Sequence, residues 1–288
     1  MTIEWYPGHM GKAHIQISKL IRTVHVIIEV LDARMPRASE NPVLAELRRE
    51  KPCLKVLGKS DLADPEVTAA WLRWFATVKN EPSREHPEGR VVALALRTDR
   101  PQEMRTKIAE VCKRLALHPS GPGKTVRAMV VGIPNVGKST LINTLMERKV
   151  ANVGDEPAVT KGRQHVVLKN GMTLSDNPGI LWPKIEDDRA SYRLALGGAI
   201  PDSAIDYESV ALFAVRYLRE KYPDALRARY KLADLPEAPG ALLGEIGKRR
   251  GCLRSGGIVD MHKAADILVH DFRAGALGRI SLEAPEDA

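Results

Sequence analysis

Apolar residues recur at steps of three and four through Met10, Ala13, Ile17, Leu20, Ile21 and Val24, which predicts a helix with one buried stripe. That period then stops. Val24–Leu31 is a short apolar run broken only by Glu29, and it reads as a buried strand. Asp32-Ala-Arg-Met-Pro opens a loop, and Cys53–Leu57 is a second strand running into Gly58-Lys59-Ser60-Asp61. A third strand, Val91–Leu96, follows the polar stretch Lys79–Arg90 and leads into a helix over Pro101–Leu117. His118-Pro-Ser-Gly-Pro-Gly-Lys124 has the composition of a linker. Beyond it, Val126–Val131 predicts a fourth strand, and Leu141, Ile142, Leu145 and Met146 carry a helical period. His165–Leu168 and Met172–Ser175 flank Asn170-Gly171, a two-residue turn signal for an antiparallel hairpin. Strands alternating with helices predict an α/β domain with a mostly parallel sheet.

After about Asp188 the strand pattern gives way to helical periodicity. Val210, Phe213, Ala214, Tyr217 and Leu218 share one face, and so do Ala264, Ile267, Leu268 and Phe272 behind a cap at Asp260. The expected organisation is an α/β domain over residues 1–185, with its linker at about 118–124, and a small all-helical domain over 186–288. Glu283–Ala288 reads as a frayed acidic tail. No internal repeat is evident.

Composition changes this picture little. The 288 residues are 44% hydrophobic and 28% charged, which suits a folded chain of one large domain plus a small one. No apolar run approaches the roughly 18 residues a membrane helix needs, and the first residues lack a signal or transit layout. A cytoplasmic protein with no membrane partner is expected, and monomer is the default. Cys53, Cys112 and Cys252 are scattered and suggest neither a disulfide framework nor a zinc site. The 44 lysines and arginines exceed the 36 aspartates and glutamates, a formal charge of +8. The excess is clustered around Lys12, Lys19 and Arg22, around Arg105, and around Lys248, Arg249, Arg250 and Arg254, which makes these segments the RNA candidates.

The sharpest chemistry is Gly132-x-x-x-x-Gly137-Lys138-Ser139, placed between a strand and a helix as a phosphate-binding loop requires. Its glycines let backbone N–H groups turn inward, Lys138 can reach the β and γ oxygens, and the Ser139 hydroxyl can ligate magnesium. Asn135, Val136, Gly137, Lys138, Ser139 and Thr140 are the nucleotide-binding candidates here. Downstream, Asp176-Asn-Pro-Gly179 puts a carboxylate at a strand end near the magnesium and the Gly179 amide toward the γ-phosphate. Between the two motifs, Thr160 is a candidate second hydroxyl ligand, closing on magnesium only with triphosphate bound.

Gly58-Lys59-Ser60-Asp61 is similar to the Asn-Lys-x-Asp motif with which GTPases read guanine. The Asp61 carboxylate would accept from the ring N–H and the exocyclic amine, which adenine cannot supply, and Lys59 would lie along the base. This motif ordinarily follows the phosphate loop, whereas here it precedes it, so the order is permuted. Two rival readings remain open: an RNA-binding scaffold with a vestigial nucleotide site, and a P-loop ATPase or nucleotide kinase.

Trp5-Tyr-Pro-Gly-His-Met10, Asp32-Ala-Arg34, Gly58–Asp61, Gly132–Ser139, Asp176–Ile180, Leu181-Trp-Pro-Lys184, Lys248-Arg-Arg-Gly-Cys252 and Ser255-Gly-Gly257 together closely resemble the RbgA/YlqF family of circularly permuted GTPases. The resemblance implies a GTPase domain and a helical RNA-binding domain, binding GTP or GDP and acting on the large ribosomal subunit and its rRNA late in assembly. It makes Asn135 the ligand of a potassium ion beside the phosphates. Ile180 stands where Ras-like enzymes place a water-orienting glutamine, and the family assigns hydrolysis to the amino-terminal histidine, here His9. The implied catalytic set is His9, Lys138, Thr160 and Gly179. Magnesium is held by Ser139, Thr160 and Asp176, and Arg97 and Thr98 back the base. Two positions depart from the pattern, Gly58 for asparagine and Asn177 for threonine. Gly58 should weaken guanine binding while Asp61 preserves discrimination against adenine.

Overall fold

The protein is described by a computed structural model covering residues 17–48, 51–78, 91–97, 99–116, 125–146, 164–168, 172–176 and 187–287. Its strands are β1 (Val26–Asp32), β2 (Cys53–Gly58), β3 (Val91–Ala95), β4 (Arg127–Val131), β5 (Gln164–Val167) and β6 (Thr173–Asp176). They form one six-stranded sheet in the order β3-β2-β1-β4-β6-β5. All neighbours are parallel except β5 and β6, which pair antiparallel as the hairpin signal predicted. The Asn170-Gly171 turn itself lies outside the described residues.

β1 is buried along its whole length, as the near-continuous apolar run of a central parallel strand requires. Its alternate residues serve two faces. Val26, Ile28 and Val30 join the main core, while Ile27 packs with Ile17, Ile21, Val24 and Cys53, and Leu31 with Leu57, Trp71 and Phe75. Glu29, the one acid in the run, faces the second side. Its Oε2 accepts from Lys55 Nζ on β2 at 2.6 Å, and the same ammonium donates to Glu40 at 2.8 Å. Burial disfavours the Lys55 charge, but the two carboxylates overrule it and push its pKa up. A charged residue inside a sheet face is thus accommodated by a counter-charge on the neighbouring strand.

Short helices α1 (Pro36–Ser39) and α2 (Pro42–Arg48) follow β1 where the sequence suggested only a loop. Helix α3 (Pro65–Val78) had no expectation of its own. It buries Trp71 and Phe75 completely, each contributing roughly 1.5–3 kcal/mol by burial. Helix α4 (Pro101–Leu115) starts on a proline and buries Met104, Ile108, Val111, Cys112 and Leu115. Helix α5 (Lys138–Met146) leaves the phosphate loop directly.

From Asp187 onward the described chain is helical: α6 (Asp188–Leu196), α7 (Tyr207–Lys221), α8 (Pro223–Tyr230), α9 (Pro239–Arg249) and α10 (Met261–Arg273). The Asp260 carboxylate caps α10 by accepting from Lys263 N–H at 3.1 Å. The buried face of α7 is Val210, Ala211, Ala214, Val215 and Leu218, rotated slightly from the expected stripe, with Phe213 and Tyr217 only half-buried. On α10 Ala264, Leu268 and Phe272 are buried as expected, and Ile267 is displaced to the margin. The apolar core is continuous between these helices and the sheet, running from strand residues such as Val30 and Val56 to Leu194, Ala195 and Leu196.

The tail expectation is corrected. Glu283 is 2% exposed and is buried with residues 280–282 rather than frayed, while Glu286 and Asp287 are exposed as expected. Among the described residues no helix is long and apolar enough to cross a membrane.

Candidate nucleotide-binding site

In an open parallel sheet the loops at the carboxyl ends of the strands gather into one crevice. Here β4 delivers Gly132–Gly137, β2 delivers Lys59–Asp61, β3 delivers Arg97, and β6 ends at Asp176 beside Val130 of β4. The spatial order is therefore hairpin, phosphate-loop strand, β1, base-motif strand and β3, whatever the order along the chain. A permuted sequence builds this crevice because strand position in the sheet, and not chain order, places each loop.

The phosphate loop is held largely from within. Gly132 has φ +147°, and a Cβ there would lie 2.5 Å from the Val30 carbonyl oxygen. Only glycine lets the loop pass so close over β1. Gly137 (φ +101°) and Asn135 (φ +58°) complete the left-handed backbone that turns amides inward. The Lys138 ammonium donates to the Ile133 carbonyl at 2.7 Å and is buried over the loop. Val136 is buried, while Ser139 and Thr140, in the first turn of α5, are half-buried.

The loop reaches back across β1 to the base motif. A Cβ at Gly58 would lie 3.0 Å from the Val136 carbonyl oxygen, so the two loops meet backbone to backbone. Lys59 adopts φ +56°, and its ammonium donates to Asp32 Oδ2 at 3.0 Å, which fixes the far end of the side chain expected to flank the base. Ser60 is buried. Asp61 is half-buried, and its Oδ1 is a buried acceptor with no hydrogen-bond partner among the described residues. A buried carboxylate oxygen left unpaired is costly, and two N–H donors of guanine would satisfy it. Arg97 is paired with Asp99 on the surface, through Nε at 2.9 Å and Nη2 at 2.7 Å.

Sequence reasoning gave no role to Asp32 and Arg34, which sit at the same edge. The Asp32 carboxylate accepts from Arg34 Nε at 3.0 Å and Nη2 at 2.8 Å, besides Lys59. Burial alone would raise its pKa, but the charges of Arg34 and Lys59 and the Arg34 hydrogen bonds hold the carboxyl well below the usual carboxylate range. Arg34 also donates to the Phe272 carbonyl at 3.2 Å and lies over the Phe272 ring, 4.5 Å from its centroid. This joins the base motif to the end of α10. Asn135 makes a second such link, its Nδ2 donating to the Gly198 carbonyl at 2.7 Å. The only hint of these links in the sequence was an acid–base pair at a strand end.

His9, Lys12, Thr98, Thr160, Asn177, Gly179 and Ile180 lie outside the described residues, and Asp176 is described by its backbone. Serine and threonine hydroxyls with a carboxylate are the hard oxygen donors magnesium takes beside nucleotide phosphates. Ser139 and the end of β6 occupy the same edge of the sheet, which fits that ion. Lys19 and Arg22 are exposed. Lys248, Arg249 and Arg250 are exposed at the end of α9, with Lys248 paired to Glu245 and Arg254 to Asp260. Arg105 joins α4 to α5 by donating to the Thr144 carbonyl.

Comparison with known proteins agrees with this geometry. The family described as 50S ribosome-binding GTPase matches residues 127–236. Ribosome biogenesis GTPase A of Bacillus cereus is 40% identical over 294 aligned residues, covering 100% of this chain and 95% of that one. Two solved structures of YlqF are similar in fold. The GDP-bound one has a TM-score of 0.66 at 25% identity, over 94% of this chain and 100% of the other. The GNP-bound one, from Thermotoga maritima, has a TM-score of 0.65 at 26% identity, over 96% and 100%. The permuted order of motifs, the crevice they build and this full-length likeness have one explanation: the chain belongs to the ribosome biogenesis GTPase A (RbgA/YlqF) family, GTPases that serve ribosome assembly.

Proposed function

We propose that this GTPase acts on the immature large ribosomal subunit, binding it in the GTP state late in assembly and leaving it on hydrolysis. The observation that carries the nucleotide part is the backbone contact between the base and phosphate loops at Gly58 and Val136, with the unpaired Asp61 Oδ1 beside them. Asp61 accepts from guanine, Lys59 lies along the base, and Arg97 and Thr98 back it. The amides of Asn135–Thr140 and the Lys138 ammonium cradle the phosphates. Magnesium, held by Ser139, Thr160 and Asp176, neutralises charge developing on the phosphate oxygens. The Gly179 amide senses the γ-phosphate, and His9 orients the attacking water in place of a glutamine.

Asn135 is assigned to a potassium ion through its carbonyl oxygen, an arrangement compatible with its Nδ2 donating to Gly198. The nucleotide-binding part spans residues 1–185 and the RNA-binding helical part 186–288, the protein working as a cytoplasmic monomer. Lys12, Lys19, Arg22, Lys248, Arg249, Arg250 and Arg254 are its rRNA contacts. Replacing Arg249 and Arg250 together should weaken particle binding and flatten its salt dependence while leaving GDP affinity unchanged; an unaltered salt slope would remove that cluster from the interface.

The deciding experiment compares GTP and ATP hydrolysis in potassium and in sodium, with and without large ribosomal subunits. Potassium-dependent GTP turnover stimulated by the subunit is expected. Equal turnover of ATP would refute the role of Asp61, and absence of subunit stimulation would refute the proposed partner.

A further inference from the structure

The base-reading turn carries a residue in a costly backbone conformation. Lys59 sits in the left-handed region, which costs a residue with a Cβ about 1 kcal/mol or more. Gly58 has no side chain with which to brace the turn against the phosphate loop. The turn's own hydrogen bond runs from Leu62 N–H to the Lys59 carbonyl at 2.9 Å, and Asp61 rides on it.

Asp32 holds the Lys59 ammonium and Ala33 N–H donates to the Gly58 carbonyl at 2.8 Å, while the stretch from Ser60 to Asp64 is supported by the end of the chain. Arg279 Nε donates to the Ala63 carbonyl at 3.0 Å, and its Nη2 donates to the Ser60 carbonyl at 3.2 Å, so one guanidinium grips the backbone on both sides of Asp61. The next residue, Ile280, donates its N–H to the Leu62 carbonyl at 2.9 Å. Ser281 Oγ accepts from Asp64 N–H at 3.2 Å. This segment is itself anchored, because Trp71 Nε1 donates to the Glu283 carbonyl at 3.2 Å and Arg193 Nη1 pairs with Glu283 Oε2 at 3.0 Å. Arg279 is therefore fixed at its base by a buried frame and reaches the turn with a planar fork.

We propose that Arg279 is a positioning residue for guanine recognition, holding the Asp61 carboxylate in place through the Ser60 and Ala63 carbonyls. It compensates for the side chain that Gly58 lacks. This rests on Asp61 reading the base, as proposed above. Because Arg279 is exposed and lies outside the apolar core, truncating it removes two hydrogen bonds without opening that core.

The test compares GDP with IDP, whose hypoxanthine lacks the exocyclic amine. Phosphate contacts cancel in the ratio of the two affinities, so the ratio reports how well the Asp61 carboxylate engages its second donor. Arg279→Ala should weaken GDP binding about tenfold and narrow the GDP-to-IDP ratio, with the melting temperature of the nucleotide-free protein little changed. Arg279→Lys, which keeps the charge and loses the fork, should fall between. Equal weakening of GDP and IDP, or an unchanged GDP affinity, would overturn the proposal. Asp61→Asn separates the two layers of the argument, since an amide there donates to xanthine. If it shifts preference from GDP to XDP, the base reading stands and the Arg279 result is decisive by itself. If it does not, the reading of Asp61 is refuted and the proposal for Arg279 falls with it.

Discussion

The phosphate loop and the base-reading loop lie side by side, yet they are held in opposite ways. Gly132–Ser139 carries most of its instructions within one short contiguous stretch, two glycines with positive φ, Asn135 in the left-handed region and Lys138 turned back on the Ile133 carbonyl, with one outward link from Asn135 to the Gly198 carbonyl. Gly58–Asp64 is held from a distance, by Asp32 on Lys59, Val136 against Gly58, and Arg279 to Ser281 on the carbonyls and amide of the turn. A loop organised by its own sequence can be moved to a new place in the chain intact. One organised by its neighbours keeps its function only if the fold reassembles them.

The sharpest way to break the self-held loop is Gly132→Ala. The new Cβ would meet the Val30 carbonyl oxygen at 2.5 Å, in a backbone region L side chains rarely adopt. Neither partner can yield, since Val30 lies in a fully buried strand. We expect GDP binding to fall more than about 100-fold, with roughly 2–4 kcal/mol lost in urea denaturation. Retention of affinity within about threefold would show that the loop tolerates another path.

For the externally held loop the comparable lesion lies far off, at Glu283. Its carboxylate accepts from the backbone N–H of Arg37 and Ala38 and pairs with buried Arg193, while burial pushes its pKa up against those partners. Glu283→Ala strands Arg193 and should cost about 3–5 kcal/mol by denaturant titration. Glu283→Gln keeps an acceptor for the two amides and should cost less than half as much. Equal losses would mean that charge, and not amide satisfaction, holds the segment.

The same contrast explains what could be read from the sequence. The strands were legible because a parallel sheet buried on both faces demands near-continuous apolar runs, and Val26–Leu31, Cys53–Leu57 and Val126–Val131 supply them, each with a single charged residue. The phosphate loop was legible because its chemistry is contiguous. Glu283 was misread because Leu-Glu-Ala-Pro-Glu-Asp has the composition of a solvated end, and its partner Arg193 lies 90 residues earlier. No local pattern encodes that pairing. Arg279, and the links from Asp32 to Lys59 and from Arg34 to Phe272, were missed for the same reason. Helix α3 went unread between two clear strands, although Trp71 and Phe75 stand one helical turn apart on its buried side.

A third prediction probes the Asp32 link between base loop and helices through pH. Its pKa is lower in the folded chain than in the unfolded one, so its contribution is present above about pH 4 and is lost as pH falls below that toward the folded value. Asp32→Asn should be less stable than the parent at pH 7, and the gap should begin to narrow as the pH falls below about 4 and keep narrowing toward the folded value. A gap independent of pH across that window would assign the stabilisation to packing instead of charge.

The smallest expected effect tests the contact between the two loops at Gly58. Alanine at Gly58 suffers no positive-φ penalty, and restricting the unfolded chain contributes roughly 0.4–1 kcal/mol in its favour. Against this, its Cβ sits 3.0 Å from the Val136 carbonyl oxygen, so the phosphate loop must shift by a few tenths of an ångström. The two effects should nearly cancel in folding stability, leaving the melting temperature within a few degrees of the parent. They should not cancel in binding, because the shift falls on the residue just before Gly137 and Lys138. A two- to fivefold loss of GDP affinity, about 0.4–1 kcal/mol, is therefore expected at almost constant stability. If the affinity is unchanged, the loops are adjacent without being coupled, and the base-reading turn answers to Asp32 and the C-terminal segment instead.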